Sequence, residues 1–527
     1  MTGFPEHFNF TRDIFDAWAA RQPEQPALWW INHDGSEERR QTFGEMRESS
    51  LRAARMFAAA GLSRGDTVLV MLPRVPEWWI AMLGLIRMGA VPVPCTPLLT
   101  RHDLEYRLQA ACIRAVITDA SGTAKLAGFS GPRWQTDDAC TGWKSFAASL
   151  AASPAEFTDS PIPSDDPGLI YFTSATTGHP KMVLHTQVSY GLGHRVTGRD
   201  WLALRSEDLH WNTADLGWAK AAWSSFFGPW HQGACLFAHD SPRKFDASQA
   251  MDILGHFPIT TLCAPPTALR MMVTKDIGKR TFPHLRHTVT AGEPLNTGVL
   301  NSWRDATGLT IHEGYGQSET TILLGNFVGN GHPVVPGSMG RVAPGVPLHL
   351  IDEEFEPVPA GEEGEIALAL TPHRPLGLFR EYWLDPEQTA RHFSGGWYLT
   401  GDRAIRDRDG YFHFIGRKDD VIKSSGYRIG PFEVESALVE HPAVADAAVV
   451  GKPDELRGQI VKAFVVLRDG TMADDTTRRE LQAYCKSLVA PYKYPREIEF
   501  VDDLPKTISG KTRRFELRMR AGNPVGA

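Results

Sequence analysis

Residues 171–181 read YFTSATTGHPK, and the fold turns on how that stretch is taken. Thr173, Ser174, Thr176 and Thr177 put four hydroxyls into five positions, with Gly178 and Lys181 close behind. Hydroxyls and loop N–H groups together surround a phosphate oxygen, and a lysine neutralises it. Taken alone, the loop leaves a polar surface turn open as the other reading. The preceding run, Gly168 to Phe172, is apolar and β-prone. It is expected to be a strand that delivers the loop at its carboxyl end, where α/β proteins bind ligands. Pro180 separates Gly178 from Lys181, which rules out a Walker A loop.

Outward from the loop the same rhythm continues. Thr67–Met71, Ala115–Thr118, Ala234–Phe237, Ile259–Leu262 and Thr288–Thr290 are short β-rich runs, separated by helical stretches such as Glu77–Met88 and Ala247–His256. This alternation predicts an α/β protein with largely parallel sheets. From Pro347 to Leu370 the pattern changes to close-set strands, LHLID and GEIALAL, between Pro and Gly turns, marking a β-rich subdomain. At 527 residues the chain exceeds what one core organises, so a second domain is expected.

Composition excludes several functions. A net charge of -7 with no long Lys/Arg run argues against nucleic acid as a partner. The most apolar segment, Trp78–Val93, is broken by Arg87 and Pro92 and predicts a buried helix rather than a membrane span. Six scattered cysteines without CxxC spacing point to a reducing compartment, and with no export signal visible the cytoplasm is expected. His284 and His287 form an HxxH without cysteines nearby, a poor zinc signal. No GxGxxG with full spacing supports a dinucleotide.

The loop has company downstream: AGEPL (291–295), HEGYGQSET (312–320), YLTGD (398–402), GRKDDVIKSSGYRIGPFEVE (416–435) and PKTISGKTRR (505–514). In this order the motifs resemble the adenylate-forming superfamily of acyl-CoA synthetases, luciferases and nonribosomal adenylation domains. GWAKAAWSSFFGPWHQGACLF (217–237) is most similar to the medium-chain acyl-CoA synthetases. The resemblance implies a large N-terminal adenylation domain, residues 1–418, and a small mobile α+β C-terminal domain, residues 419–527, hinged at Asp419. It implies ATP, Mg²⁺ and coenzyme A with a small carboxylic acid, the acyl-adenylate forming first and the thioester second. A carrier protein in place of coenzyme A is the alternative acceptor, and a homo-oligomer is left open.

Roles carry over residue by residue. Lys511 would bridge the substrate carboxylate and the α-phosphate, although KTRR beside a C-terminus is otherwise read as a solvated tail. Ser318 would bond the α-phosphate, and Glu319 is both catalytic and the Mg²⁺ ligand. Tyr315 would stack on adenine, framed by Gly292, Glu293 and Pro294, with Glu313 and Gln317 in the same nucleotide site. Asp402, an acceptor-only carboxylate, suits two ribose hydroxyls. Arg417 and Arg428 would hold phosphates, ordinary ion pairs being the other reading, and Gly426 would line the path of pantetheine. Arg457 and Lys462 are weaker prospects for the phosphates of coenzyme A. Trp218 and Gly316 are placed in the acyl pocket, together with Trp223 if it is not a core residue. Acetate-specific relatives carry Trp where Gly316 stands, so room for a longer or aromatic acid is expected. Ala175 replaces the loop's usual glycine. A positive φ there would cost roughly 1 to 2 kcal/mol, tempering the rate.

Overall fold

A computed structural model describes residues 4–137, 140–173, 180–241, 245–275, 277–329, 331–425, 427–507 and 511–523. Among the described residues its largest sheet has nine strands, of which six consecutive neighbours run parallel: Ile311–Tyr315, His287–Ala291, Thr261–Cys263, Leu209–Asn212, Cys235–His239 and Pro26–Ile31. A second, all-parallel sheet of five strands is built around Thr67–Met71 and Ala115–Thr118. Strands covered on both faces read as continuous apolar runs, as TVLVM and AVIT do.

Between these sheets the helix Pro76–Met88 is apolar around its whole circumference and is buried at every position but Glu77. That is the behaviour of a core helix. It lies against the helix Phe43–Ala59 so closely that a Cβ on Gly84 would sit 2.6 Å from that of Ala53. Its one interior charge, Arg87, is fully buried and is matched by Asp16 at 2.7 Å and Asp159 at 3.2 Å. Unpaired, such a charge would be strongly destabilising. Among the described residues no helix is long and apolar enough to cross a membrane.

The opening loop departs from the expected topology. Pro167–Phe172 enters no parallel sheet; it pairs antiparallel with Met182–Thr186, to which Glu381–Tyr382 adds a third strand. Thr173 N donates to Lys181 O at 2.9 Å, closing the mouth of a hairpin. The reason lies just beyond Lys181: MVLHT is itself strand-forming and buried, so the chain folds straight back instead of crossing over through a helix.

Residues 348–417 form an antiparallel sheet in which Trp397–Arg406 pairs with Glu363–Ala369 and Phe412–Arg417. Beyond Asp419, Val444–Asp454, Gly458–Leu467 and Glu497–Phe500 belong to a further sheet with its own apolar core. The overall class is α/β with a small α+β unit at the C-terminal end.

Candidate active site

The two neighbouring parallel strands His287–Ala291 and Ile311–Tyr315 end side by side, and their carboxyl ends open into the AGEPL turn and the GQSE turn. Gly292 takes φ +100°, a conformation that disfavours any side chain. Glu313 fastens the two turns together, its Oε1 accepting from Leu295 N at 2.9 Å. Its Oε2 is buried with no partner among the described residues, and burial pushes the carboxyl from its ordinary 4.5 to about 7.

That shift has a testable sign. The folded protein holds this proton more tightly than the unfolded chain, so the group's contribution favours the fold at low pH and is lost as pH rises from 4.5 through about 7. Glu313→Gln keeps an oxygen for Leu295 N and removes the titration. The fall in Tm between about pH 5 and 7 should flatten in this variant by calorimetry; a slope equal to the parent's contradicts the assignment.

A compact hydrogen-bonded knot stands beside these turns. Asp402 Oδ2 accepts from the Tyr315 hydroxyl and from Gln317 Nε2, both at 2.7 Å. Gln317 also donates to Thr400 O at 2.9 Å and accepts from the Tyr398 hydroxyl at 2.9 Å. Asp402 faces Arg417 in strand register, with Arg417 Nε 3.8 Å from Oδ1. Ser318 O accepts from His185 Nε2 at 2.7 Å and from the Tyr190 hydroxyl at 2.6 Å. Glu319 Oε1 accepts from the Tyr382 hydroxyl at 2.8 Å, and Oε2 accepts no hydrogen bond from the described residues. Lys181 stands 5.0 Å from the centre of the Tyr382 ring, within reach of the Glu319 charge, and burial lowers the pKa of its ammonium.

The structure adds a residue that sequence reasoning passed over. Lys220, inside GWAKAAW, is half-buried and donates to Ala291 O at 2.6 Å. Burial lowers its pKa, Glu293 opposes that shift, and the Lys511 ammonium is near enough to reinforce it. Lys511 itself is exposed, in a turn in which its amide donates to Thr507 Oγ1 at 3.1 Å. The same segment is anchored by Arg514, which pairs with both Glu435 oxygens at 2.7 and 2.6 Å and lies within range of the Glu293 charge. The C-terminal unit meets the rest of the chain through Arg270 and Asp446 at 3.4 Å and through Arg428 and Glu353 at 3.2 Å, with the Lys511 charge in electrostatic range of Lys220. A lone lysine in an otherwise apolar run was the available sign of Lys220.

Other expected residues lie apart from this cluster or are differently engaged. Arg428 pairs with Glu353 at 3.2 Å and Glu363 at 3.8 Å, on the β-rich subdomain. Lys462 is buried between Glu497 at 2.9 Å and Glu499 at 2.8 Å, leaving it unsuited to a phosphate. Asp419 O accepts from Arg518 at 3.3 Å. Trp218 is the residue before the helix Ala219–Ala222 and is half-buried. Ser174, Ala175, Thr176, Thr177, Gly178 and Gly426 lie outside the described residues; Thr173 and Pro294 are half-buried.

The space expected at Gly316 is not there. A Cβ on Gly316 would meet Cη2 of Trp223 at 2.4 Å and Thr321 O at 2.4 Å. The Trp223 indole thus occupies the space beside Gly316 that a side chain there would need.

Comparison with known proteins decides the family. The model for AMP-binding enzymes matches residues 15–383, and the model for their C-terminal domain matches residues 433–511. The chain belongs to the AMP-binding enzyme family. Among curated relatives, mitochondrial acyl-coenzyme A synthetase ACSM3 of Mus musculus is 46% identical over 98% of this chain and 91% of its own. Mitochondrial acyl-coenzyme A synthetase ACSM5 of Homo sapiens is 46% identical over 98% and 90%. Among solved structures, the anthranilate CoA ligase AuaEII in complex with anthranoyl-AMP superposes with a TM-score of 0.89 at 29% identity, covering 98% of each chain. A benzoate CoA ligase from Burkholderia xenovorans LB400 gives 0.85 at 28%, covering 97% and 100%. This AMP-binding enzyme is an acyl-CoA synthetase of the adenylate-forming superfamily, an AMP-forming acid–thiol ligase. The expectation of a cytoplasmic protein is overturned by these mitochondrial relatives. Free cysteines report a reducing environment, which more than one compartment offers, so they were a poor guide to location.

Proposed function

We propose that this synthetase activates a medium-chain, branched or aromatic carboxylic acid and passes it to coenzyme A, with the residues above in the following roles. A carboxylate is a poor acceptor for a thiol because oxide is a poor leaving group. Its oxygen first attacks the α-phosphorus of ATP, pyrophosphate departs, and the acyl-adenylate results. The thiol sulfur then attacks the acyl carbon and AMP departs. The first step brings two anions together, so fixed positive charge at their junction is the main requirement.

The observation that carries this reading is the hydrogen-bonded knot of Asp402, Tyr315 and Gln317 beside the GQSE turn, in a chain of the AMP-binding enzyme family, with the Lys511 charge felt at Lys220. Lys511 neutralises the junction of carboxylate and α-phosphate. Lys220 sets a second ammonium at the acyl end of the same site. Asp402 holds the ribose, already steadied by Tyr315 and Gln317, and the Tyr315 ring packs on adenine. Arg417 lies close to Asp402, so it serves the phosphates; Arg428 reaches them only after leaving Glu353 and Glu363. For the second step the unit 419–527 pivots at Asp419 and brings Gly426 to the thiol.

Mg²⁺ fits the residues present. It is usually held by one or two carboxylates together with substrate phosphates, and Glu319, with Oε1 committed to Tyr382 and Oε2 open, supplies such a carboxylate. When bound, the ion neutralises charge on the triphosphate. Ser318 offers its hydroxyl to the α-phosphate.

Trp223 limits acyl length. Trp223→Leu should raise kcat/KM for decanoate relative to butyrate by about tenfold or more, on the scale of added room for methylene groups; an unchanged chain-length profile places the pocket elsewhere. A panel of straight, branched and aromatic acids from acetate to dodecanoate, read by pyrophosphate release, tests the substrate class. Supplying coenzyme A or carrier protein to the preformed adenylate tests the acceptor. Transfer only to the carrier would replace coenzyme A in this reading.

A further inference from the structure

Two buried side chains from one segment converge on a single backbone oxygen in the GQSE turn. His185, in the strand Met182–Thr186, and Tyr190, in the helix Gln187–Val196, both bond Ser318 O, at 2.7 and 2.6 Å. A carbonyl only accepts, so His185 Nε2 carries the hydrogen and its Nδ1, 3.1 Å from Ser189 Oγ, accepts from that hydroxyl. The His185 and Tyr190 rings are stacked with centroids 3.4 Å apart and are both fully buried, leaving neither free to turn. Burial drives the His185 pKa to about 3, keeping it neutral in working conditions.

The geometry extends in both directions. Ser318 O belongs to the peptide that joins Ser318 to Glu319, so two donors on it fix where the Ser318 hydroxyl and the Glu319 carboxylate stand. On the other side Trp223 Nε1 donates to the Tyr190 hydroxyl at 3.4 Å, and the same indole abuts Gly316. A hydrogen-bonded chain thus runs from the wall of the acyl pocket through Tyr190 to the turn that carries Ser318 and Glu319.

We propose that His185 and Tyr190 are positioning residues for adenylation, acting through the Ser318 carbonyl to aim Glu319 at the metal–phosphate group. This rests on the role given above to Glu319. Groups that orient a metal's ligands through hydrogen bonds commonly change metal affinity or activity 10- to 100-fold when removed. Tyr190→Phe keeps the ring and its stacking and deletes one donor; His185→Leu deletes the other; His185→Gln returns an N–H near the place of Nε2.

The experiment measures ATP binding by calorimetry, without acid so that nothing turns over, in Mg²⁺ and in EDTA. It is paired with pyrophosphate exchange and with thioester formation from supplied acyl-adenylate. Tyr190→Phe and His185→Leu should each weaken binding of Mg·ATP and slow exchange by about tenfold or more. Metal-free ATP binding and thioester formation should stay near the parent values, and His185→Gln should recover most of the loss. The proposal is overturned if Tyr190→Phe binds Mg·ATP as the parent does, if both half-reactions fall together, or if Gln is no better than Leu at 185. Should His185→Leu fail to fold, Tyr190→Phe alone decides. Glu319→Gln run alongside separates the two ideas: if it leaves the Mg²⁺ effect intact, the role of Glu319 is wrong; if it abolishes the effect while Tyr190→Phe does nothing, only the positioning is wrong.

Discussion

Lys511→Ala should lower acid-dependent pyrophosphate exchange by about a hundredfold or more, the scale for removing a preorganised charge stabiliser. Conversion of supplied acyl-adenylate to thioester should remain within a few fold of the parent. The asymmetry follows from the chemistry. Charge accumulates between carboxylate and α-phosphate only in the first step; in the second the phosphate is already esterified and AMP leaves as a stable anion. It also follows from the fold, since the Lys511 charge is felt at Lys220 only with the C-terminal unit placed as described. Stopped-flow measurement of each half-reaction supplies the test. Equal loss in both halves would mean that Lys511 supports the structure of the site rather than one step in it.

Glu319→Gln is expected to cost roughly a hundredfold in the same exchange reaction and to raise the Mg²⁺ concentration for half-maximal rate by about tenfold or more. The amide is close in shape and still offers an oxygen to the Tyr382 hydroxyl, so the bond at 2.8 Å can survive. What disappears is the negative charge that a hard divalent cation requires. Lys181 sharpens the expectation, because its half-buried ammonium is partly balanced by Glu319 and would lose that balance. A variant with normal Mg²⁺ dependence but a raised KM for the acid would move Glu319 out of the metal site.

How much of this was legible before the structure depends on how the residues reach the site. Tyr315, Gln317, Ser318 and Glu319 lie within five consecutive positions, and Gly292–Pro294 in another three, so contiguous motifs mark them as candidates together. Strand and helix positions such as Thr67–Met71 and Ala247–His256 were readable from apolar runs and their spacing. His185, Tyr190 and Tyr382 were not readable as site residues, because they meet the GQSE turn from 133, 128 and 63 positions away. Nothing local in VLHT or REYW distinguishes a residue that bonds a distant carbonyl from an ordinary buried polar one.

Gly316 shows the opposite difficulty. A missing side chain was read as space, whereas packing at native density fills such a gap from whatever neighbour is available, here the Trp223 indole beside Gly316. The antiparallel hairpin at 167–186 was misjudged for a related reason: strand propensity marks an extended segment but does not name its partner.

In the proposed mechanism one ammonium near the end of the chain, that of Lys511, makes the union of two anions possible. A crystal structure with Mg·ATP bound tests it most directly. Lys511 Nζ is expected within about 3 Å of an α-phosphate oxygen, over the turn formed by Gly292–Pro294. An α-phosphate neutralised by some other cation, with Lys511 directed into solvent, would contradict it.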